Sequence, residues 1–76
     1  MSAAAAGVVP STIVVNGVAR PLVRDGSVAD LVRELALEGK RIAVELNGEI
    51  VPRSRYAQTR LSAGDRLEVV SAVGGG

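Results

Sequence analysis

The chain of 76 residues contains no cysteine and no histidine. Without cysteine, no disulfide staples the fold and no thiol can act as nucleophile or metal ligand. Without histidine, the usual general base and the commonest metal ligand are both missing. Ser11, Ser27, Ser54, Ser62 and Ser71 therefore have no partner to activate them, and no metal site is expected. Aromatic side chains are almost absent too: Tyr56 is the only one, so bases have no platform to stack on. Neither sign of charge dominates. Nine Lys and Arg stand against eight Asp and Glu, for a net charge of +1, which argues against a nucleic-acid partner. No apolar run approaches the ~20 residues that span a bilayer, so no membrane partner is expected. Neither G-x-x-x-x-G-K-[ST] nor G-x-G-x-x-G occurs, which leaves no recognisable phosphate loop. Glu45 and Glu49 straddle a turn and read as solvated charge rather than a catalytic carboxylate pair.

The composition is that of one small folded domain, 47% hydrophobic and 22% charged. That is too apolar for a disordered chain. A domain of this size buries only about 60% of the surface its unfolded chain exposes, so its core must be efficient. Residues 1–11, Ala-rich at first, lack the basic start and long apolar stretch of a secretory signal and read as a flexible leader. Residues 12–71 carry the periodic patterns of a domain. Residues 72–76 form a glycine tail.

Within the domain, Thr12 to Asn16 is short and β-branched, which favours a strand. Asn16-Gly17 suits a type I′ turn, where both central residues take positive φ. The returning strand, Val18 to Arg24, contains Pro21, which lacks an N–H and so predicts a sheet edge. Ser27 opens a helix. Asp30 three residues later completes a capping box, with Asp in place of Glu or Gln. Val28, Leu31, Val32 and Leu35 recur at i, i+3, i+4 and i+7, one apolar stripe. The pattern predicts that Gly39 provides the left-handed C-cap, with Lys40 and Arg41 near the negative end of the dipole. Ile42 to Leu46 alternates as a strand does, and Asn47-Gly48 repeats the turn signal before a short return, Glu49 to Val51. Pro52 to Gln58 is polar and suits one helical turn. Arg53 and Arg55 there could grip an acidic partner or a phosphate, but solvated loop charge is favoured. Thr59 to Leu61 suits a brief strand. Ser62 to Asp65 is a turn, and Arg66 to Ser71 the last strand.

These elements define an α+β fold, a mixed sheet of four to five strands with one main helix packed on one face. The first and last strands are placed together at the middle of the sheet. Ile13, Val15, Leu22, Val28, Leu31, Leu35, Ile42, Val44, Leu46, Leu61, Leu67 and Val69 are expected to form the core. A single helix covers one sheet face only, so the other stays wet. Glu45, Arg66 and Glu68 fall on that face, and Val70 beside them is a candidate partner contact.

The chain ends in Val73-Gly74-Gly75-Gly76. Three glycines bury no side chain and lose the most backbone entropy on ordering, so they add nothing to a core. They do form a slim strand that can thread a narrow channel and present an unhindered carboxylate at Gly76. A carboxylate is a poor acyl electrophile. Activation by ATP would make it an acyl-adenylate, which a sulfur nucleophile converts to a thiocarboxylate and an amine to an amide. A partner must supply the catalysis, because this chain has neither base nor metal.

The order of elements is similar to that of the ubiquitin-like β-grasp fold. Val15-Asn16-Gly17, the Val28 to Val32 helix segment, the Ala43 to Arg53 stretch with its Asn47-Gly48-Glu49-Ile50-Val51-Pro52-Arg53 core, Arg55-Tyr56, the Gly64 to Val70 stretch and the Val73 to Gly76 end together resemble the ThiS family. These are sulfur carriers of thiamin thiazole biosynthesis. The resemblance covers nearly all of Ser11 to Gly76. It implies a cytoplasmic carrier, not an enzyme, with Gly76 as the covalent site and Val73, Gly74 and Gly75 as the threading segment. Docking on partners is assigned to Glu45, Arg66, Glu68 and Val70. The implied partners are a ThiF-type, E1-like adenylating enzyme, a ThiG-type thiazole synthase and a sulfur donor protein. No cofactor is bound by the carrier, and ATP is used by the activating partner. The Gly-Asp turn and glycine end also suit MoaD, the carrier of molybdopterin synthesis. A carrier for cysteine or tRNA thiolation, a ubiquitin-like protein modifier, or an interaction module with an inert tail are the alternatives.

Overall fold

The structure, a computed structural model, describes residues 11–22 and 26–71. Five strands form one sheet: β1 (Thr12–Val15), β2 (Val18–Pro21), β3 (Ile42–Leu46), β4 (Glu49–Val51) and β5 (Arg66–Ser71). Their order across the sheet is β2-β1-β5-β3-β4. The central pair, β1 and β5, is parallel, with Val14 opposite Arg66 and Val15 opposite Leu67; the other pairs are antiparallel. Pro21 thus lies on an edge strand, where its missing N–H breaks no internal ladder. Both Asn-Gly pairs turn as their chemistry demands: Asn16 and Gly17 have φ of 51° and 84°, Asn47 and Gly48 of 51° and 89°.

One helix, α1 (Val28–Glu34), packs on one face. Its start is the capping box expected from Ser27 and Asp30. The Asp30 amide donates to Ser27 Oγ at 3.2 Å, and the Ser27 amide donates to Asp30 Oδ2 at 2.9 Å. Its end differs from the sequence expectation. The helix stops at Glu34, with Leu35 as C-cap, and Ala36 rather than Gly39 takes the left-handed conformation, at φ 61°. The Leu37 amide donates to the Val32 carbonyl and the Ala36 amide to the Arg33 carbonyl, both at 3.0 Å. This is the Schellman pattern, in which the residue after the left-handed one packs back on the helix. Leu37 does pack against the core, and that apolar closure decides the stop. Gly39 uses its positive φ of 77° in the turn that follows, where Lys40 donates to the Leu37 carbonyl.

A 3-10 helix, Arg53–Gln58, follows β4. The chain then passes beside the start of α1. Ser27 and Arg60 form an isolated bridge, and Val28 donates to the Thr59 carbonyl and Leu61 to the Gly26 carbonyl. The brief strand expected over Thr59 to Leu61 is that bridge.

Between helix and sheet lies the core: Ile13, Val15, Val28, Leu31, Val32, Val44, Val51, Tyr56, Leu61, Leu67 and Val69. Leu22, Leu35, Ile42 and Leu46, expected inside, are only partly buried around its rim. Val32, Val51 and Tyr56 lie in the core beyond the expected positions, Val32 on the apolar stripe of the helix. Tyr56 is buried because the 3-10 helix, rather than lying in solvent, contacts α1. A half-polar ring closing the end of a small core is one way such a domain makes its limited apolar surface sufficient.

Candidate functional site: the last strand and the open sheet face

Strand β5 leads to the glycine tail, and the fold holds it from both sides. On the β1 side, the Val14 and Asn16 amides donate to the Asp65 and Leu67 carbonyls at 2.9 Å. The main chain of β1 then turns away at Asn16, but its side chain continues the ladder. The Val69 amide donates to Asn16 Oδ1 at 2.8 Å, and Asn16 Nδ2 donates to the Val69 carbonyl at 3.0 Å. The side-chain amide therefore stands in for the next peptide group of β1.

A second asparagine holds the other end of β5 with its main chain and side chain together. The Asn47 amide donates to the Arg66 carbonyl at 2.8 Å, and the Arg66 amide returns to Asn47 Oδ1 at 3.0 Å. Asn47 Nδ2 reaches Asp65 Oδ1 at 3.1 Å. Asp65 is itself fixed, its Oδ2 accepting from the Ser62 amide at 2.7 Å. On the β3 side the antiparallel ladder continues to the end of β5, where Ser71 lies opposite Ile42. Ser71 is thus the anchored root of the tail. The expected threading segment Val73, Gly74 and Gly75 and the expected covalent site Gly76 lie outside the described residues. Five residues follow this root in the sequence, a maximum reach of about 17 Å at ~3.3 Å per residue.

The four expected docking residues come together. Glu45, Arg66, Glu68 and Val70 are all exposed, on the sheet face away from α1. Glu45 on β3 lies directly opposite Glu68 on β5; Val70 lies opposite Ala43, and Arg66 opposite Val14. Ile50, not among the expected residues, joins them. It is 63% exposed, comparable with 59% for Val70, and stands opposite Glu45 on β4. The signal was present: a two-residue Asn47-Gly48 turn pairs Ile50 with Glu45, and hence puts both on one face. Arg53, a candidate for gripping an anion, has a structural role. Its guanidinium donates to the Lys40 carbonyl at 3.0 Å and ties the 3-10 helix to the loop before β3.

Among the described residues no group of His, Cys, Asp or Glu is arranged to hold a metal ion, and no helix is long and apolar enough to cross a membrane. The Asp30 carboxyl is held below the usual carboxylate range. The cause is chiefly the hydrogen bond from the Ser27 backbone, then that from its hydroxyl, with Arg33 adding a smaller effect. This belongs to the helix cap and lies across the molecule from the open face.

A five-stranded mixed sheet, a single helix on one face and a last strand running into a terminal glycine run define a ubiquitin-like β-grasp protein. The crystal structure of the thiamine biosynthesis protein ThiS from Geobacter metallireducens superposes with a TM-score of 0.69 at 30% identity, over 86% of this chain and 99% of that one. The model of the ThiS family matches residues 13–76, from the first strand through the last glycine, and the chain belongs to that family. It is 41% identical over 51 residues to the sulfur carrier protein ThiS of Bacillus subtilis, covering 67% of this chain and 77% of the relative. It is also 44% identical over 64 residues to a thiazole synthase of Paramagnetospirillum magneticum, covering 84% of this chain but only 20% of that protein's length.

Proposed function

We propose that the chain is the sulfur carrier for thiazole formation in thiamin biosynthesis, with the Gly76 carboxylate as the carrying group. The observation that carries this reading is the family match, which extends to the last glycine, on a fold whose last strand is clamped as far as the tail's root. A family likeness supports a function only through the site, and here the site is that terminus.

In the first step a carboxylate oxygen of Gly76 attacks the α-phosphate of ATP in the active site of a ThiF-type adenylating enzyme. Pyrophosphate leaves and an acyl-adenylate remains. In the second, the terminal sulfur of a donor protein's persulfide attacks the acyl carbon and AMP departs, leaving an acyl disulfide. A thiol then attacks the donor's own sulfur. The donor ends as a disulfide and the carrier as a thiocarboxylate, which a ThiG-type thiazole synthase receives. The chain is a co-substrate in each step, not an enzyme. It binds no cofactor itself; ATP is the activating enzyme's substrate. Thiol and persulfide chemistry of this kind requires a reducing compartment, consistent with the cytoplasm.

Glycine at the terminus suits both tasks, since it leaves the carbonyl open to attack and the backbone narrow enough to thread. The absence of cysteine means that sulfur can be carried only as an acyl group. Incubation with the adenylating enzyme, ATP and a persulfide donor should convert the chain to a product heavier by the difference between one sulfur and one oxygen atom. A full reaction that leaves the mass unchanged would refute the reading.

A further inference from the structure

The open sheet face contains a pairing that isolated β-sheet energetics disfavour. Glu45 and Glu68 sit directly opposite each other on β3 and β5. Residues so paired have Cβ atoms about 4.5–5.5 Å apart, and like charges there destabilise the sheet. Among the described residues neither carboxylate forms an ion pair. The ion pairs among the described residues lie around α1, between Arg20 and Glu34, Arg33 and Asp30, and Arg33 and Glu38. Arg66, two positions along β5 from Glu68 and on the same face, pairs with neither. The two acids are flanked by the exposed apolar side chains of Ile50 and Val70.

We propose that this face docks on a partner through a basic side chain that inserts between Glu45 and Glu68, with apolar groups closing over Val70 and Ile50. This rests on the carrier reading above and specifies the chemistry by which the adenylating enzyme recognises the carrier. Charge complementarity selects the occupant. Two carboxylates at this spacing can accept from one guanidinium, whose planar fork presents five N–H donors. Binding a cation between them turns a repulsion in the free chain into two charge-assisted hydrogen bonds in the complex. Position supports the same partner. Glu68 and Val70 lie on the strand that ends at the tail's root, one and three residues before Ser71 in the case of Val70 and Glu68 respectively. A protein seated here is therefore within the tail's reach of the carboxylate it must activate.

The acidic pair has opposite effects in the free and bound states. Glu45→Gln and Glu68→Gln should each raise the thermal midpoint of the free chain, because each removes the repulsion. Each should also weaken binding to the purified adenylating enzyme by about tenfold at low salt, and the double variant by much less than the product, since both act through one cation. Val70→Ser should weaken binding several-fold while leaving the midpoint of the free chain in place. Binding is read by titration of the full chain and stability by a thermal melt. Glutamine variants that bind the enzyme as tightly as the parent across a salt series would overturn the proposal, whatever their stability. So would sedimentation showing that the face instead holds a second copy of this chain, with self-association lost in Glu68→Gln. Either failure leaves the carrier reading intact if the parent chain still gains sulfur at saturating enzyme. Loss of that mass shift in the parent would instead refute the carrier reading.

Discussion

The side-chain amide of Asn16 makes two hydrogen bonds to the main chain of Val69, 53 residues away, and so extends the central parallel ladder beyond the point where β1 turns off. Asn16 consequently does two things: it takes the positive φ that the turn requires, and it clamps the strand that carries the tail. Asn16→Gly separates them. Glycine keeps the turn and loses both bonds, one of which leaves a backbone N–H unpaired. The variant should lose about 1–3 kcal/mol in denaturant unfolding. Amide exchange at Val69 should accelerate more than exchange in α1. Unchanged protection at Val69 would mean that solvent replaces the clamp at no cost.

The helix end offers a stabilising change. Ala36 holds a left-handed conformation at φ 61°, which costs an L-residue roughly 1–2 kcal/mol that glycine does not incur. Part of that gain is offset by the extra entropy of an unfolded glycine. Ala36→Gly should therefore raise stability by about 1 kcal/mol. A loss of stability would show that the Schellman closure over Leu37 depends on the alanine methyl.

At the other end of the helix, acid should undo the cap. The Asp30 carboxyl is depressed by its hydrogen bonds from Ser27. A group whose pKa is lower folded than unfolded adds stability above its unfolded value, and that contribution fades as pH falls through the folded one. Relative to Asp30→Asn, the parent should be more stable at neutral pH. The difference should shrink on acidification below the ordinary aspartate range. A difference that stays constant from neutral pH to strong acid would mean that the charge plays no part in the cap. Ser27→Ala, which removes the hydroxyl from the same box, should cost about 1 kcal/mol.

Leu31 is 4% exposed and belongs to the core cluster between helix and sheet. Leu31→Ala should destabilise by roughly 2–5 kcal/mol, measured by denaturant unfolding, through lost burial and the cavity left behind. A smaller effect would indicate that the sheet collapses onto the gap.

Much of this fold is legible in the sequence because local signals and global pattern agree. Two Asn-Gly pairs fix two hairpins, Ser27 and Asp30 fix the helix start, and period-2 alternation in β3 and β5 puts Val44, Leu67 and Val69 inside. The helix stop is misread because glycine is the usual left-handed residue, whereas the decision rests on where Leu37 finds apolar contact. Tyr56 is missed for a related reason: a polar hexapeptide gives no periodicity, and its ring is buried by tertiary packing alone. On the candidate site, the wet face with Glu45, Arg66, Glu68 and Val70 follows from strand parity. The opposition of Glu45 and Glu68 does not, since it depends on the β3–β5 register, which no local turn sets. The double role of the asparagines is likewise invisible: the turn signal is in the dipeptide, but the strand receiving the side chain lies far along the sequence.

Gly76 is the proposed place where sulfur is carried. The most direct measurement is fragment mass analysis of the intact chain after reaction with the adenylating enzyme, ATP and a persulfide donor, in parallel with a chain lacking Gly75 and Gly76. The full chain should gain the sulfur-for-oxygen mass difference, confined to the fragment ending in Gly76. The truncated chain should melt at the same temperature and gain nothing. Sulfur located on any other fragment, or modification of the truncated chain at the parent's rate, would contradict Gly76 as the carrying site.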